Sequence, residues 1–472
     1  MGLRTMRGVL GAAAVAAVCA GVMAAQQVNP YIKPQTEVRR LAVNQGATAL
    51  WEELQRLRTR ASLLMIVAHP DDEDGGMLTK EARGEGVRTG MLTLNRGEGG
   101  QNVMTGDFND ALGLLRTQEL LAADQYLGVD EQMFGSVVDF GFSKTMDETL
   151  QQWGYDRVLC DAVLAVRRFR PMVVTSVFIG GVTDGHGHHQ VAGRLAQEMY
   201  DKAGDASVCP EQIAAGLKPW QPLKVYERVP GYSISAKGIY DYATGKYAPA
   251  KFYYYGTKTW SDATPTTDVT VHEGDYSAVL GMSYLQFART GLGEQKTQNG
   301  GGSLPEAGAF DVAYHRYASR VAVSGEEQSF FDGIDTSLTG MAQGDAELTA
   351  GLKAMDADVA AAMRAFDVKD TAKTAPALAD GWKQTSSLLA KLNASGLSAQ
   401  QKDEVRDELL RKQAEFNDAL VDALGLTMRA QVGGAPTSAG PGRVPESGET
   451  QLAAVPGEKI DVRVVVNNPA KA

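Results

Sequence analysis

Positive charge, long apolar runs, cysteine and histidine are all scarce in this chain, and each scarcity narrows what it can do. Across 472 residues, 46 Lys and Arg stand against 57 Asp and Glu, a net charge of −11 with no Lys/Arg-rich tract. That balance argues against a nucleic-acid groove or an anionic membrane surface as the main partner. Beyond the N-terminus no segment is apolar enough to cross a bilayer. The three cysteines are Cys19, Cys160 and Cys209; a domain of this size does not need disulfides to hold together. Of the six histidines, four fall in two short segments: His69, and the group His186, His188 and His189. His272 and His315 stand alone and read as structural.

The first residues read as a secretory signal at 1–25. Arg4 and Arg7 give the charged start, an Ala-rich apolar stretch runs to about Gly21, and Ala24 and Ala25 offer a cleavage site. The mature chain is then expected to be periplasmic or secreted, with no membrane span left after cleavage. Cleavage leaves Cys160 and Cys209, which could pair or stay free.

Beyond the signal, strands and helices alternate. The apolar run Ser62-Leu63-Leu64-Met65-Ile66-Val67-Ala68 reads as a buried strand, preceded by a helical lead-in with Leu50, Leu54 and Leu57 on one face. A helix is expected over 75–85, a strand from Val87 to Leu94, and a helix from Asn109 to Tyr126. One long helix should run from the capping box at Thr145 to Arg170, where Pro171 halts it. A second apolar strand, 172–178, and a helix over 189–200 complete the order. This order predicts an α/β fold with a mostly parallel sheet and helices on both faces. Residues 205–320, with Tyr-rich pieces such as Phe252-Tyr253-Tyr254-Tyr255, continue that domain to 324. A small helical unit is expected at 325–432, a Gly/Pro/Ser-rich linker at 433–448, and at 449–472 a strand-like segment that either docks on the body or begins a β-rich module.

Two strands end in chemistry. His69-Pro70-Asp71-Asp72-Glu73 comes after the first, and Asp184-Gly185-His186-Gly187-His188-His189 after the second. In open α/β sheets, ligands bind at the carboxyl ends of strands. A hydrolytic zinc site needs three protein ligands and an open position. His69 and Asp72, three residues apart, can face one point, and His189 can supply the third ligand from the start of its helix, with His188 the weaker candidate. Asp71 is then spare and suited to act as general base toward metal-bound water. His186, if protonated, could stabilise an oxyanion and protonate the leaving amine. Asp184 and Glu73 are candidates for orienting the histidines. The competing reading of the acidic run is a simple helix cap.

The run Ala68-His69-Pro70-Asp71-Asp72-Glu73, paired with His186-x-x-His189, resembles the LmbE-like or PIG-L family of zinc-dependent de-N-acetylases. Gly97-Glu98-Gly99-Gly100-Gln101-Asn102 and Leu115-Arg116-Thr117-Gln118-Glu119 also look like segments of that family, and Gln190 fits a form seen in exported bacterial members. The resemblance spans roughly residues 60–300. It implies a Rossmann-like domain that removes the N-acetyl group from an amino sugar or glycoconjugate, so the partner is a small-molecule or oligosaccharide N-acetylated substrate. It also implies one Zn2+ ion, with Fe2+ the alternative, on His69, Asp72 and His189. Asp71 would be the base, His186 the electrostatic partner, Arg116 a substrate contact, and Glu98 a neighbour of the substrate. Simpler members have Pro-Asp where this chain has Gly187-His188. Gln295, Lys296 and Gln298 replace a basic loop of larger members and receive no role.

Two other functions use the same residues. Two histidines and one carboxylate also make the facial triad of a non-haem iron oxygenase, although the spare Asp71 counts against that. A catalytically silent carbohydrate-binding module could keep the pocket without the reaction.

Overall fold

The computed structural model describes residues 43–230, 234–235, 237–323, 325–432, 457, 459–460 and 462–470. The expected signal at 1–25 and linker at 433–448 lie outside the described residues. The lead-in helix is α1 (Ala47–Leu57). The next helices are α2 (Gly75–Thr79), α3 (Asn109–Leu127), α4 (Met146–Trp153), α5 (Tyr155–Phe169) and α6 (Gly187–Lys202). Strands β1 (Ser62–Val67), β2 (Arg88–Thr93), β3 (Glu131–Phe134), β4 (Val173–Ser176), β5 (Lys224–Arg228), β6 (Val269–His272) and β7 (Asp311–Ser319) form one sheet in the order β6-β7-β5-β4-β1-β2-β3. The five strands from β3 to β5 are parallel, and β7 and β6 add antiparallel at the edge.

The run at β1 is unbroken because the strand is covered on both faces. Leu64 and Ile66 pack with Val163, Val166 and Leu195 on one side. Leu63, Met65 and Val67 pack with Met77, Leu120 and Tyr226 on the other. Strand order reverses around β1, whose neighbours are β2 and β4. The carboxyl ends of β1 and β4 therefore open onto a crevice at the switch point, where ligands bind in such sheets.

Three expectations need correction. The single helix over 145–170 is two, α4 and α5, because Gly154 takes φ 80° between them. Only half of the capping box forms: Thr145 Oγ1 accepts from the Glu148 amide at 3.1 Å, but the Glu148 carboxylate accepts at 2.7 Å from the amide of Lys144, one residue before the cap, instead of from that of Thr145. The boundary at 324/325 does not separate two cores. Leu50, Leu54 and Leu57 of α1 pack into the helical unit, among α8 (Ala346–Ala365), α9 (Ala375–Lys391) and α10 (Ala399–Leu424), while α7 (Tyr284–Leu292) belongs to the first domain. Phe330, beyond the boundary, packs into the sheet core. The expected helical unit also ends in a strand, β8 (Thr427–Val432), which pairs antiparallel with β9 (Val462–Asn467). The terminal strand thus has a partner that the helical pattern concealed. No described helix is long and apolar enough to cross a membrane.

Cys160 on α5 is bonded to Cys209, with Cα atoms 5.7 Å apart across a sequence separation of 49. Closing a loop of that length should stabilise the fold by about 4 kcal/mol through the unfolded chain. Cys160→Ser should therefore lower the melting temperature, and reductant should lower that of the parent but not of the variant. Two free thiols titrated in the unreduced, denatured protein would refute the pairing.

Candidate metal centre

The chain turns sharply after β1, and each acidic side chain of the turn takes a different task. Asp72 is the hub. Its Oδ2 accepts from the His69 amide at 2.7 Å and lies 3.1 Å from His69 Nδ1, while its Oδ1 lies 3.2 Å from His189 Nε2. Glu73 turns back to accept from the Asp71 amide at 2.9 Å, and its other oxygen accepts from Gln295 Nε2. Asp74 caps α2 through the Met77 amide at 3.3 Å and accepts from Tyr314 Oη at 2.7 Å. The capping role belongs to Asp74 alone.

Asp71 is set apart by its backbone. Its φ is 102°, a conformation costly for a residue with a Cβ and kept where surrounding structure enforces it. Its side chain keeps 36% of its surface open, and its carboxylate faces Arg116 at 3.4 Å. Burial and the neighbouring Asp72 charge, partly offset by Arg116, raise its carboxyl to about 7. Burial also favours a neutral Asp72, but the imidazoles of His189 and His69 overcome this and hold Asp72 well below the ordinary range. Two adjacent carboxyls are thus driven apart in acidity, the pattern of one binding group and one proton carrier.

The second cluster comes from β4 and the start of α6. His186 precedes α6, and His189 sits in its first turn, its Nδ1 2.9 Å from the Asp184 carbonyl. Asp184 also gathers the amides of Ile179, Gly180 and Gly181 with its carboxylate. Phe178 stacks on the His189 ring at 4.2 Å. Burial disfavours a charge on His189, yet Asp72 and Asp184 outweigh it and raise the imidazole to about 8. His186 goes the other way: burial, with His189 and His69 alongside, lowers it to about 3. The expectation of a protonated His186 is therefore corrected to a neutral imidazole, because three imidazoles crowd one buried spot.

These donors fit a divalent cation. One nitrogen from each of His69, His186 and His189 lies within 4.8 Å of the others. Asp72 adds carboxylate oxygens against two of them, and His186 Nδ1 is buried with no hydrogen-bond partner among the described residues. Nitrogen and carboxylate donors of this kind suit zinc or iron(II).

Arg116 and Glu98, expected near substrate, are placed otherwise. Arg116 donates to the Pro70 carbonyl and to Gly97 O at 3.2 Å. A Cβ on Gly97, at φ 74°, would collide with that guanidinium. Arg116 therefore bears on the site through Asp71 and the Pro70 turn. Glu98 is 1% exposed, its carboxylate engaged by the Arg96 amide and Nε and by the Asp139 amide. It folds the Gly-rich loop rather than facing a ligand. Glu73, expected to orient a histidine, instead orients Asp71.

Three more residues shape the centre: Asp139, Gln295 and His188, the weaker candidate for the third ligand. Fully buried His188, stacked on Trp153, places its Nδ1 3.0 Å from His69 Nε2 and 3.7 Å from Asp139 Oδ1. Gln295 secures Glu73 from 222 residues away. Nothing in the local sequence of Asp139 or Gln295 marks either one; His188 was at least marked by its neighbours.

Residues 64–200 match the family described as PIG-L: GlcNAc-PI de-N-acetylase. The chain is 33% identical over 187 residues to a 1D-myo-inositol 2-acetamido-2-deoxy-alpha-D-glucopyranoside deacetylase of Streptomyces avermitilis, covering 36% of this chain and 61% of that protein. It is 29% identical over 193 residues to the protein of the same name from Thermobispora bispora, covering 38% of this chain and 62% of that protein. The chain thus spans about three-fifths of the length of these relatives. Among solved structures, N,N'-diacetylchitobiose deacetylase from Pyrococcus horikoshii is similar at 19% identity with a TM-score of 0.31, over 36% of this chain and 60% of that one.

Two outcomes are expected. Because His189 binds its proton up to about pH 8, a cation must displace that proton, so apparent affinity should rise roughly tenfold per pH unit below 8 and level off above it. Zinc competition against a chromogenic chelator would show this, and affinity that does not change with pH would contradict it. His188→Ala should weaken the same affinity by about 10- to 100-fold, the usual scale for losing the support of a ligand; a folded variant with undiminished affinity would rule that out.

Proposed function

Since residues 64–200 belong to the PIG-L family, we propose that the protein is a zinc-dependent hydrolase removing the N-acetyl group from an amino sugar or glycoconjugate, with Asp71 moving the proton. The observation that carries this reading is the division between Asp72, held by two imidazoles, and Asp71, strained, open to the pocket and near neutral in acidity. His69, Asp72 and His189 would hold a divalent ion, which would supply Lewis acidity toward an amide carbonyl and lower the pKa of a water toward neutrality.

The chain's own residues do the rest. Asp71 takes a proton from the attacking water as the C–O bond forms. His186, as a neutral N–H donor, faces the charge developing on the carbonyl oxygen. As the C–N bond breaks, Asp71 returns the proton to the departing amine, leaving acetate and a free amino sugar. Arg116 keeps the Asp71 carboxylate aimed through both steps. A residue that gives up and regains a proton works best with a pKa near the operating pH, and Asp71 stands at about 7.

We also propose export to the periplasm or beyond, in keeping with the Cys160–Cys209 bond, since such bonds persist in oxidising compartments.

Asp71→Asn should retain its metal and lose turnover by roughly two or more orders of magnitude, read as acetate release alongside metal content. In the parent the acid limb of kcat/KM should fall at or below about pH 7, because activity needs ionised Asp71 and a bound cation can only lower its pKa. Loss of metal from Asp71→Asn would reverse the roles given to Asp71 and Asp72.

A further inference from the structure

A line of aromatic side chains leads out of the metal centre. Phe142 lies 5.1 Å, between ring centroids, from His186. Tyr242 lies 5.1 Å from Phe142, Tyr240 5.1 Å from Tyr242, and Tyr247 5.5 Å from Tyr240. The tyrosines sit on a hairpin of Ile239–Asp241 and Lys246–Ala248. All four side chains are between 43% and 56% exposed. Aromatic rings are large apolar surfaces that folding ordinarily buries, and contiguous exposed ones mark binding grooves.

The track is continuous with the site. Tyr240 and Tyr242 line the same cavity as Asp71, Asp72 and His189, of about 880 Å³. Carboxyl groups outnumber the two guanidiniums, Arg228 and Arg289, along its wall. Such a wall is a poor host for a phosphate-bearing or carboxylate-bearing ligand.

We propose that this track binds successive rings of an uncharged N-acetylated oligosaccharide, with one acetamido group at Asp71 and the chain running toward Tyr247. This rests on the deacetylase reading and names its substrate class. Sugar rings present apolar C–H faces edged by hydroxyls, and a tyrosine offers both an apolar face and a polar tip. An acyl chain would have no use for three phenol groups, and a single sugar none for the far end of the track. Subsites beyond the reacting sugar contribute affinity only when the ligand is long enough to fill them.

The test is calorimetric titration of metal-loaded Asp71→Asn with N-acetylglucosamine and its β-1,4 oligomers from dimer to pentamer. Affinity should increase with length. Tyr247→Ala, exposed and outside the cavity wall, should weaken tetramer binding by about two- to tenfold and leave monomer binding unchanged, and Tyr240→Ala should weaken tetramer binding by at least as much. Equal affinity at every length, or none for any oligomer, overturns the proposal. So does tighter binding of a phosphorylated or lipid-linked amino sugar than of the tetramer. Acetate release by the parent enzyme is scored separately on short N-acetylated sugars. If release occurs without length dependence, the track falls and the deacetylase stands; if no substrate releases acetate, the deacetylase reading itself fails.

Discussion

The placement of Asp72 between two imidazoles from distant parts of the chain is the constraint on which the site depends. One oxygen faces His69 at 3.1 Å and the other His189 at 3.2 Å. The carboxylate thus ties the end of β1 to the start of α6. Its low pKa leaves it charged; that charge makes His189 basic and adds to burial in making Asp71 reluctant to ionise. Ligand geometry and proton chemistry therefore share one source. A second buried carboxylate beside it could not behave in the same way, so the adjacent Asp71 is left the less acidic of the two.

Around that contact, packing rather than polarity fixes the angles. Phe178 stacks on His189, Trp153 on His188, and Phe140 meets His188 edge-on at 4.5 Å. Gln190 spans the loop, accepting from the Met146 amide at 3.2 Å and donating to the Gly185 carbonyl at 3.1 Å. Such support holds the imidazoles in place, so less would be lost to ordering if an ion bound there.

Much of this was legible in the sequence because it is local. An unbroken apolar run signals a strand covered on both faces, and the residues just past it inherit the strand's end as their address. His69, Asp72 and His189 could be named that way. What escaped depends on long-range closure. Gln295 meets Glu73 across 222 residues, and no spacing rule reaches that far. Glu98 sits in a conspicuous motif but spends its charge on Arg96 and a backbone amide, so motif membership overstated its access to ligand. Gly154 broke a helix whose apolar period runs straight through it, since one left-handed residue leaves the periodicity on either side intact. The alternation of Tyr240 and Tyr242 about Asp241 is a strand signal too short to separate from loop until the hairpin partner is known.

The helical unit bears on the site by where it does not sit. Its longest helix, α10, meets the sheet at the amino ends of the strands: Arg60, ahead of β1, pairs with Glu408 at 2.7 Å, and Arg170, ahead of β4, approaches Asp407 at 3.8 Å. Lys412 is buried there, donating to the Arg56 carbonyl at 2.7 Å and paired with Glu415 at 2.6 Å. Buried charges of this kind are costly unless every partner is in place, so they fix the docking geometry more than they add to stability. The candidate metal centre lies at the opposite, carboxyl edge. With the helical buttress at one end of the sheet, the rim of the candidate site at the other is built from connecting segments such as the tyrosine hairpin.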